Sequence, residues 1–130
     1  MAVKFEDVKN YLYTMGCQIE FESPEEEILV VTDESKGIKD LIIDCESPII
    51  ILEQVIFDIK TESTAMFKTL LKWNREIIHG AFVINDSGDK LIFRDTLQLE
   101  NLDFNELEGS INALGLALAE YSDQIILFAR

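Results

Sequence analysis

Apolar residues first recur at three- and four-residue steps. Phe5, Val8, Leu12 and Met15 follow that spacing, with Tyr11 beside them, and the spacing predicts a helix over 4–15. Gly16 comes next, where a helix stops well on a residue free to take a positive φ. The period then drops to two. Ile19 and Phe21 share one face of a strand over 17–22, and Glu20 and Glu22 share the other. Ser23-Pro24-Glu25-Glu26 turns the chain, and Ile28 to Thr32 is a compact β-branched strand. Residues 33–39, with Gly37, form the next loop, followed by an apolar run from Leu41 to Cys45. Glu46-Ser47-Pro48 interrupts before a long strand from Ile49 to Ile59, bent where Glu53-Gln54 breaks its apolar run.

A second helix is predicted over 63–78, capped by Ser63 or Thr64. Its apolar stripe runs through Met66, Phe67, Leu70, Leu71, Asn74 and Ile78. Lys68, Lys72 and Arg75 form a separate basic stripe, read as a solvated face balancing Glu62 and Glu76. A hairpin follows, Ala81 to Ile84 and Leu91 to Phe93, with Gly88 supplying the permissive position in Asn85-Asp86-Ser87-Gly88-Asp89. The last helix starts at Asp103, with Glu106 placed for a capping box. Phe104, Leu107, Ile111, Leu114, Leu118, Tyr121, Ile125 and Phe128 alternate three- and four-residue steps, the seam of one long buried helix.

That helix has a second property. From Gly109 to Ala119 it carries no charge, and Gly109, Ala113 and Ala117 line up at four-residue spacing with Leu116 beside them. Small residues let another backbone come close. Two arrangements account for them: a homodimer contact or partner groove, or a helix lying across the sheet with a neighbouring helix over its other side.

Composition narrows the partner classes. The 130 residues are one domain's worth, 1–130, without a linker or repeat. The net charge is −14, from 25 acids and 11 bases, which disfavours nucleic acid and anionic lipid and suits a basic partner surface. The start turns charged before any apolar run develops, and no stretch approaches the length of a membrane span, so neither a leader nor membrane insertion is expected. Cys17 and Cys45 lack CxxC spacing, which points to free thiols and a cytoplasmic location.

Candidate chemistry fails for want of partners. His79 is the only histidine, and with Cys17 and Cys45 it forms no recognisable zinc spacing. Neither cysteine carries a nucleophile signature for a Cys–His pair oriented by Asp95. Counting from Asp86, a calcium loop would need Gly where Leu91 stands. Phosphate-binding glycine motifs are absent, and the cluster Glu20, Glu22, Glu25, Glu26 and Glu27 reads as a hydrated turn. No enzyme activity, metal or cofactor is therefore expected. Arg94-Asp95 beside Thr96 remains, either as a structural ion pair where a strand leaves the sheet or, with Trp73, as a polar groove. The groove would suit a second reading, a domain binding a small-molecule or regulatory ligand.

The order helix, strands, helix, hairpin, helix resembles the type III secretion chaperone-like superfamily, and more narrowly its YbjN-type or Tir-chaperone-like bacterial proteins. The likeness rests on Leu71-Lys72-Trp73-Asn74-Arg75, His79-Gly80-Ala81-Phe82-Val83, Phe93-Arg94-Asp95-Thr96-Leu97, Leu99-Glu100-Asn101-Leu102-Asp103 and Asn105-Glu106-Leu107. It implies an α+β fold, an antiparallel sheet with helices packed on it in the order α-β-β-β-(β)-α-β-β-α. It also implies a non-enzymatic, chaperone-like protein, often a homodimer, that holds a segment of a protein client along hydrophobic patches; in this chain the last helix and an exposed sheet edge are expected to supply the contacts.

Overall fold

The computed structural model describes residues 2–130. The elements are α1 (Phe5–Met15), β1 (Gln18–Ser23), β2 (Ile28–Asp33), a 3-10 turn (Glu34–Lys36), β3 (Ile38–Glu46), β4 (Ile49–Asp58), α2 (Thr64–Glu76), β5 (Ala81–Ile84), β6 (Lys90–Gln98), α3 (Phe104–Glu120) and α4 (Ser122–Phe128). The strands form one antiparallel sheet in the order β1-β2-β3-β4-β6-β5. The fold is therefore α+β, with helices packed on a six-stranded antiparallel sheet.

Local chemistry explains the helix ends. Gly16 takes φ 85°, its N–H reaches the Tyr13 carbonyl, and the Cys17 N–H reaches the Leu12 carbonyl, so the last turn of α1 keeps its acceptors satisfied. The Ser63 hydroxyl accepts from the Met66 N–H at 3.2 Å, and the Asp103 carboxylate accepts from the Glu106 N–H at 2.8 Å. The hairpin turn closes on Asp89, whose carboxylate accepts from Asn85 Nδ2 at 2.7 Å and from the Ser87 hydroxyl at 2.8 Å.

One face of the sheet receives α1 and α3. Val8 and Leu12 of α1 and Leu107 and Ile111 of α3 are fully buried against Leu29, Val31, Leu41, Ile43 and Ile50. Each such side chain contributes about 1.5–3 kcal/mol by leaving water. Cys17 and Cys45 are free thiols in this core. Burial, with Glu27 and Asp44 adding to it, pushes the Cys45 thiol up to about 12. The thiolate is the reactive form. A thiol reagent at mildly alkaline pH is thus expected to leave Cys45 untouched in the folded protein and to label it promptly in denaturant. Mass spectrometry of the labelled chain reads this directly.

Four sequence expectations are corrected. A bulge between Ile19 and Phe21 shifts the β1 register, so Phe21 faces outward opposite Val30 and is 54% exposed. The bend of β4 is a bulge between Val55 and Phe57, beyond Glu53-Gln54. Gln54 is buried there and accepts the Lys39 N–H at 3.2 Å. On α2, Leu71 is 68% exposed, and Ile78 lies past the helix end and is 90% exposed. The packed side of that helix runs instead through Met66, Leu70 and Trp73. The single long last helix is two helices, broken at Tyr121, where ψ is 10°.

Gly80 sets the approach of α2 to the hairpin. Its φ is 83°, and a Cβ there would lie 2.5 Å from the Phe93 ring. Gly80→Ala is expected to lose about 2 kcal/mol from backbone strain and overpacking together, read as an earlier midpoint in urea unfolding.

Candidate functional site

Two apolar surfaces remain uncovered. The first is built on α3. Ala117 is buried and Gly109 and Ala113 are half-buried, while Leu116 stands 70% exposed. Leu116 separates two shallow grooves. One, of about 470 Å3, lies between α3 and the segment Ile77, Ile78 and His79, with Gly109 and Ala113 on its floor. The other, of about 600 Å3, lies between α3 and the 3-10 turn, against Lys36, Gly37, Asn112 and Gly115. A Cβ on Gly115 would sit 3.0 Å from the Lys36 carbonyl oxygen, so glycine lets that turn close on the helix. The small residues thus floor an open groove beside a projecting leucine. His79 is exposed on its rim.

The second surface is the sheet face turned away from α1 and α3. An antiparallel sheet with one solvated face normally alternates apolar-in and polar-out. Here several outward positions are apolar as well, among charged ones such as Asp44, Glu53 and Arg94. Ile42 is 41% exposed and Val55 47% exposed, and with Val30 they line a groove of about 550 Å3. Phe21 continues the strip across β1. Ile28 and Ile51 lie alongside, in register with Asp44 between them. Strand alternation marks this face only when the inward partners are known, so the β-branched runs concealed it.

The proposed polar groove does not assemble. Arg94 and Asp95 are successive residues of β6 and point to opposite sides of the sheet. Arg94 Nη1 pairs with Glu53 Oε1 at 2.6 Å on the outer face. On the inner face, Asp95 accepts the Ser110 hydroxyl at 2.6 Å and ties α3 to the sheet. Trp73 belongs to an aromatic cluster. It stacks on Tyr121 at 4.1 Å with the planes 11° apart, and its centroid lies 5.6 Å from Phe82 and 6.0 Å from Phe128.

One sheet edge is occupied by a side chain. On β5, Asn74 replaces a neighbouring strand, since its Oδ1 accepts the Phe82 N–H at 2.7 Å and its Nδ2 donates to the Phe82 carbonyl at 3.0 Å. That edge is closed to a further strand at its middle. Among the described residues no three His, Cys, Asp or Glu side chains converge as metal ligands, and no helix is long and apolar enough to cross a membrane.

Comparison with known proteins gives a consistent picture. The CesT_Tir_1 family model matches residues 1–130. No curated protein matches the chain. Among solved structures, YbjN from E. coli, described as a proposed transcription regulator, is similar at 14% identity and TM-score 0.69, covering 95% of this chain and 96% of its own. A chain of the ExsC–ExsE complex is similar at 13% identity and TM-score 0.68, covering 96% and 97%. A chain of the HopA1–SchA chaperone–effector complex is similar at 8% identity and TM-score 0.62, covering 96% and 93%. At these identities the likeness is one of fold.

Proposed function

The chain belongs to the CesT_Tir_1 family, and from that premise we propose that it is a non-enzymatic, chaperone-like binding protein that acts as a homodimer and holds a segment of another protein. The observation that carries this reading is the pair of uncovered apolar surfaces, one on α3 and one on the outer sheet face. Monomers rarely leave large contiguous apolar surface in water, so two such faces suit two partners.

The α3 face suits a second copy. A twofold contact uses one patch on both partners, so a projection and its recess must lie side by side. Leu116 is such a projection, and the groove over Gly109 and Ala113 is such a recess. Each copy carries a net charge of −14, and Gly109 to Ala119 is an uncharged stretch where two copies can meet, with Glu76 and Glu120 lining the same groove. The family and its neighbours support a protein client for the remaining surface, since two of the similar structures are complexes with a protein partner. The small-molecule reading has weaker support, because Trp73, Arg94 and Asp95 do not meet around a common cavity.

Light scattering tests the homodimer. A dimer mass is expected at micromolar concentration, and a strict monomer would overturn that half of the reading.

A further inference from the structure

The helix α2 turns a basic face to solvent on an otherwise acidic molecule. Its packed side runs through Met66, Leu70 and Trp73. At 3.6 residues per turn, Lys68, Leu71, Lys72 and Arg75 fall within an arc of about 100° on the opposite side. All four are exposed, Leu71 to 68%. Three of the chain's 11 bases thus gather along two turns, a rise of about 10 Å. None of the three is in an ion pair. Those among the described residues join Lys9 to Glu22, Lys90 to Asp58 and Arg94 to Glu53. The helix supplies no acid between them either, since Thr64 to Arg75 contains no Asp or Glu. Lys68 and Lys72 stand four apart, and Lys72 and Arg75 three apart, spacings at which like charges destabilise a helix. A face that only meets water gains nothing from that repulsion, whereas a face that meets acids relieves it.

We propose that this face docks a short acidic helix of another protein, whose carboxylates at i, i+4 and i+7 pair with Lys68, Lys72 and Arg75 and whose apolar residue covers Leu71. The steps of four and three are those of the stripe itself, because two helices share one pitch. The inference goes beyond the dimer and client reading, since it uses neither apolar surface. Length decides the class of partner. Glu62 and Glu76 are exposed at the two ends of the stripe. A nucleic acid or an anionic membrane carries its charge over a far longer span, so it runs onto those acids and across a body of charge −14. A two-turn acidic segment meets the cations first, and salt screens the remaining acids beyond about 8 Å. A second copy is a poor occupant, because a twofold contact here sets Lys against Lys.

The probe is a fluorescein-labelled, alanine-based peptide of about 16 residues, long enough to hold a helix. It carries Glu at i, i+4 and i+7 with Leu at i+3, and its counterpart carries Gln for each Glu. Anisotropy in about 0.15 M salt is expected to show binding of the Glu peptide and not of the Gln peptide, and weaker binding as salt rises. Lys72→Glu is expected to weaken binding about tenfold, through one ion pair lost and one repulsion gained. Leu71→Ala should weaken it about fivefold through lost apolar contact. Both side chains are exposed, so both variants should keep the parent's Tm to within a few degrees. Amide resonances of Lys68, Leu71, Lys72 and Arg75 should shift on binding, while those of Ile42, Ala113 and Leu116 stay in place.

Equal binding of both peptides, no binding of either, or full affinity of Lys72→Glu would each overturn the inference. So would tighter binding of an oligothymidine or of phosphatidylglycerol vesicles than of the Glu peptide, because the stripe would then serve a phosphate polyanion. A Lys72→Glu variant that loses a dimer would overturn it by assigning the face to a second copy. Resonance shifts confined to α3 or to the outer sheet face would overturn it and leave the dimer and client reading standing. That reading fails or stands separately, by light scattering of the unmodified chain.

Discussion

Leu116→Asp is expected to convert the proposed homodimer to a monomer while leaving the fold intact. Leu116 is 70% exposed in the isolated chain, so it contributes little to folding. Substitutions at such positions usually move stability by no more than about 0.5 kcal/mol. In a twofold contact the same residue enters the interface from both sides. Each new carboxylate would be buried against the groove over Gly109 and Ala113, which offers it no counter-charge. An uncompensated buried charge costs about 3–5 kcal/mol. The dimer should therefore weaken by at least about 100-fold, enough to read as a monomer by light scattering at micromolar protein. Circular dichroism should show an unchanged spectrum. Ala117→Glu is the contrasting case, because Ala117 is 5% exposed and a charge there should unfold the chain. A Leu116→Asp protein that remains dimeric would move the self-contact off α3.

Trp73→Ala is expected to destabilise the protein by about 3 kcal/mol, near the lower end for removing a large aromatic from a packed site. Trp73 is half-buried, which keeps the loss below that of a core tryptophan. It is nevertheless the point where three segments meet. It stacks on Tyr121, where α3 ends, and faces Phe82 of β5 and Phe128 of α4. The helix α4 runs only from Ser122 to Phe128. A helix that short does not persist without tertiary contacts. The variant should therefore show rapid amide exchange throughout α4 while the amides of α1 and the central strands stay protected. Thermal unfolding should shift down by about 10 °C. If Trp73 instead lined a binding groove, its removal would spare stability and amide protection. Hydrogen exchange separates the two outcomes.

These expectations show where sequence patterns carry information. The α3 seam was legible because its inward residues, Leu107, Ile111 and Leu114, repeat at helical spacing and are all buried. Its uncharged stretch was equally legible, since an ordinary surface helix carries Lys or Glu there. The break at Tyr121 was not, because the seam of Tyr121, Ile125 and Phe128 keeps its period across it. At the break Tyr121 stacks on Trp73, a contact between residues distant in sequence. Arg94 and Asp95 misled for a related reason. Adjacent charges suggest a pair, but successive strand residues point to opposite faces, where Glu53 and Ser110 receive them.

By itself the sequence determined the element order as far as α3, the helix caps at Gly16, Ser63 and Asp103, and the packed faces of α1 and α3. Those depend on local period, on capping residues such as Asp103, and on Gly16 at its positive φ, which act within a few residues. It also limited the partners, through a charge of −14 and the uncharged run from Gly109 to Ala119. Only the tertiary structure decided that the sheet has two apolar faces and that one of them is open. Ile42 and Ile43 are indistinguishable as residue types. Which of them meets α1 and α3, and which meets solvent, follows from strand register and bulge positions. Those are set by pairing between segments far apart in the chain. Asp44 shows the consequence most clearly. In sequence it is one acid among 25, and the register alone places it between Ile28 and Ile51 with a covered oxygen that no donor reaches.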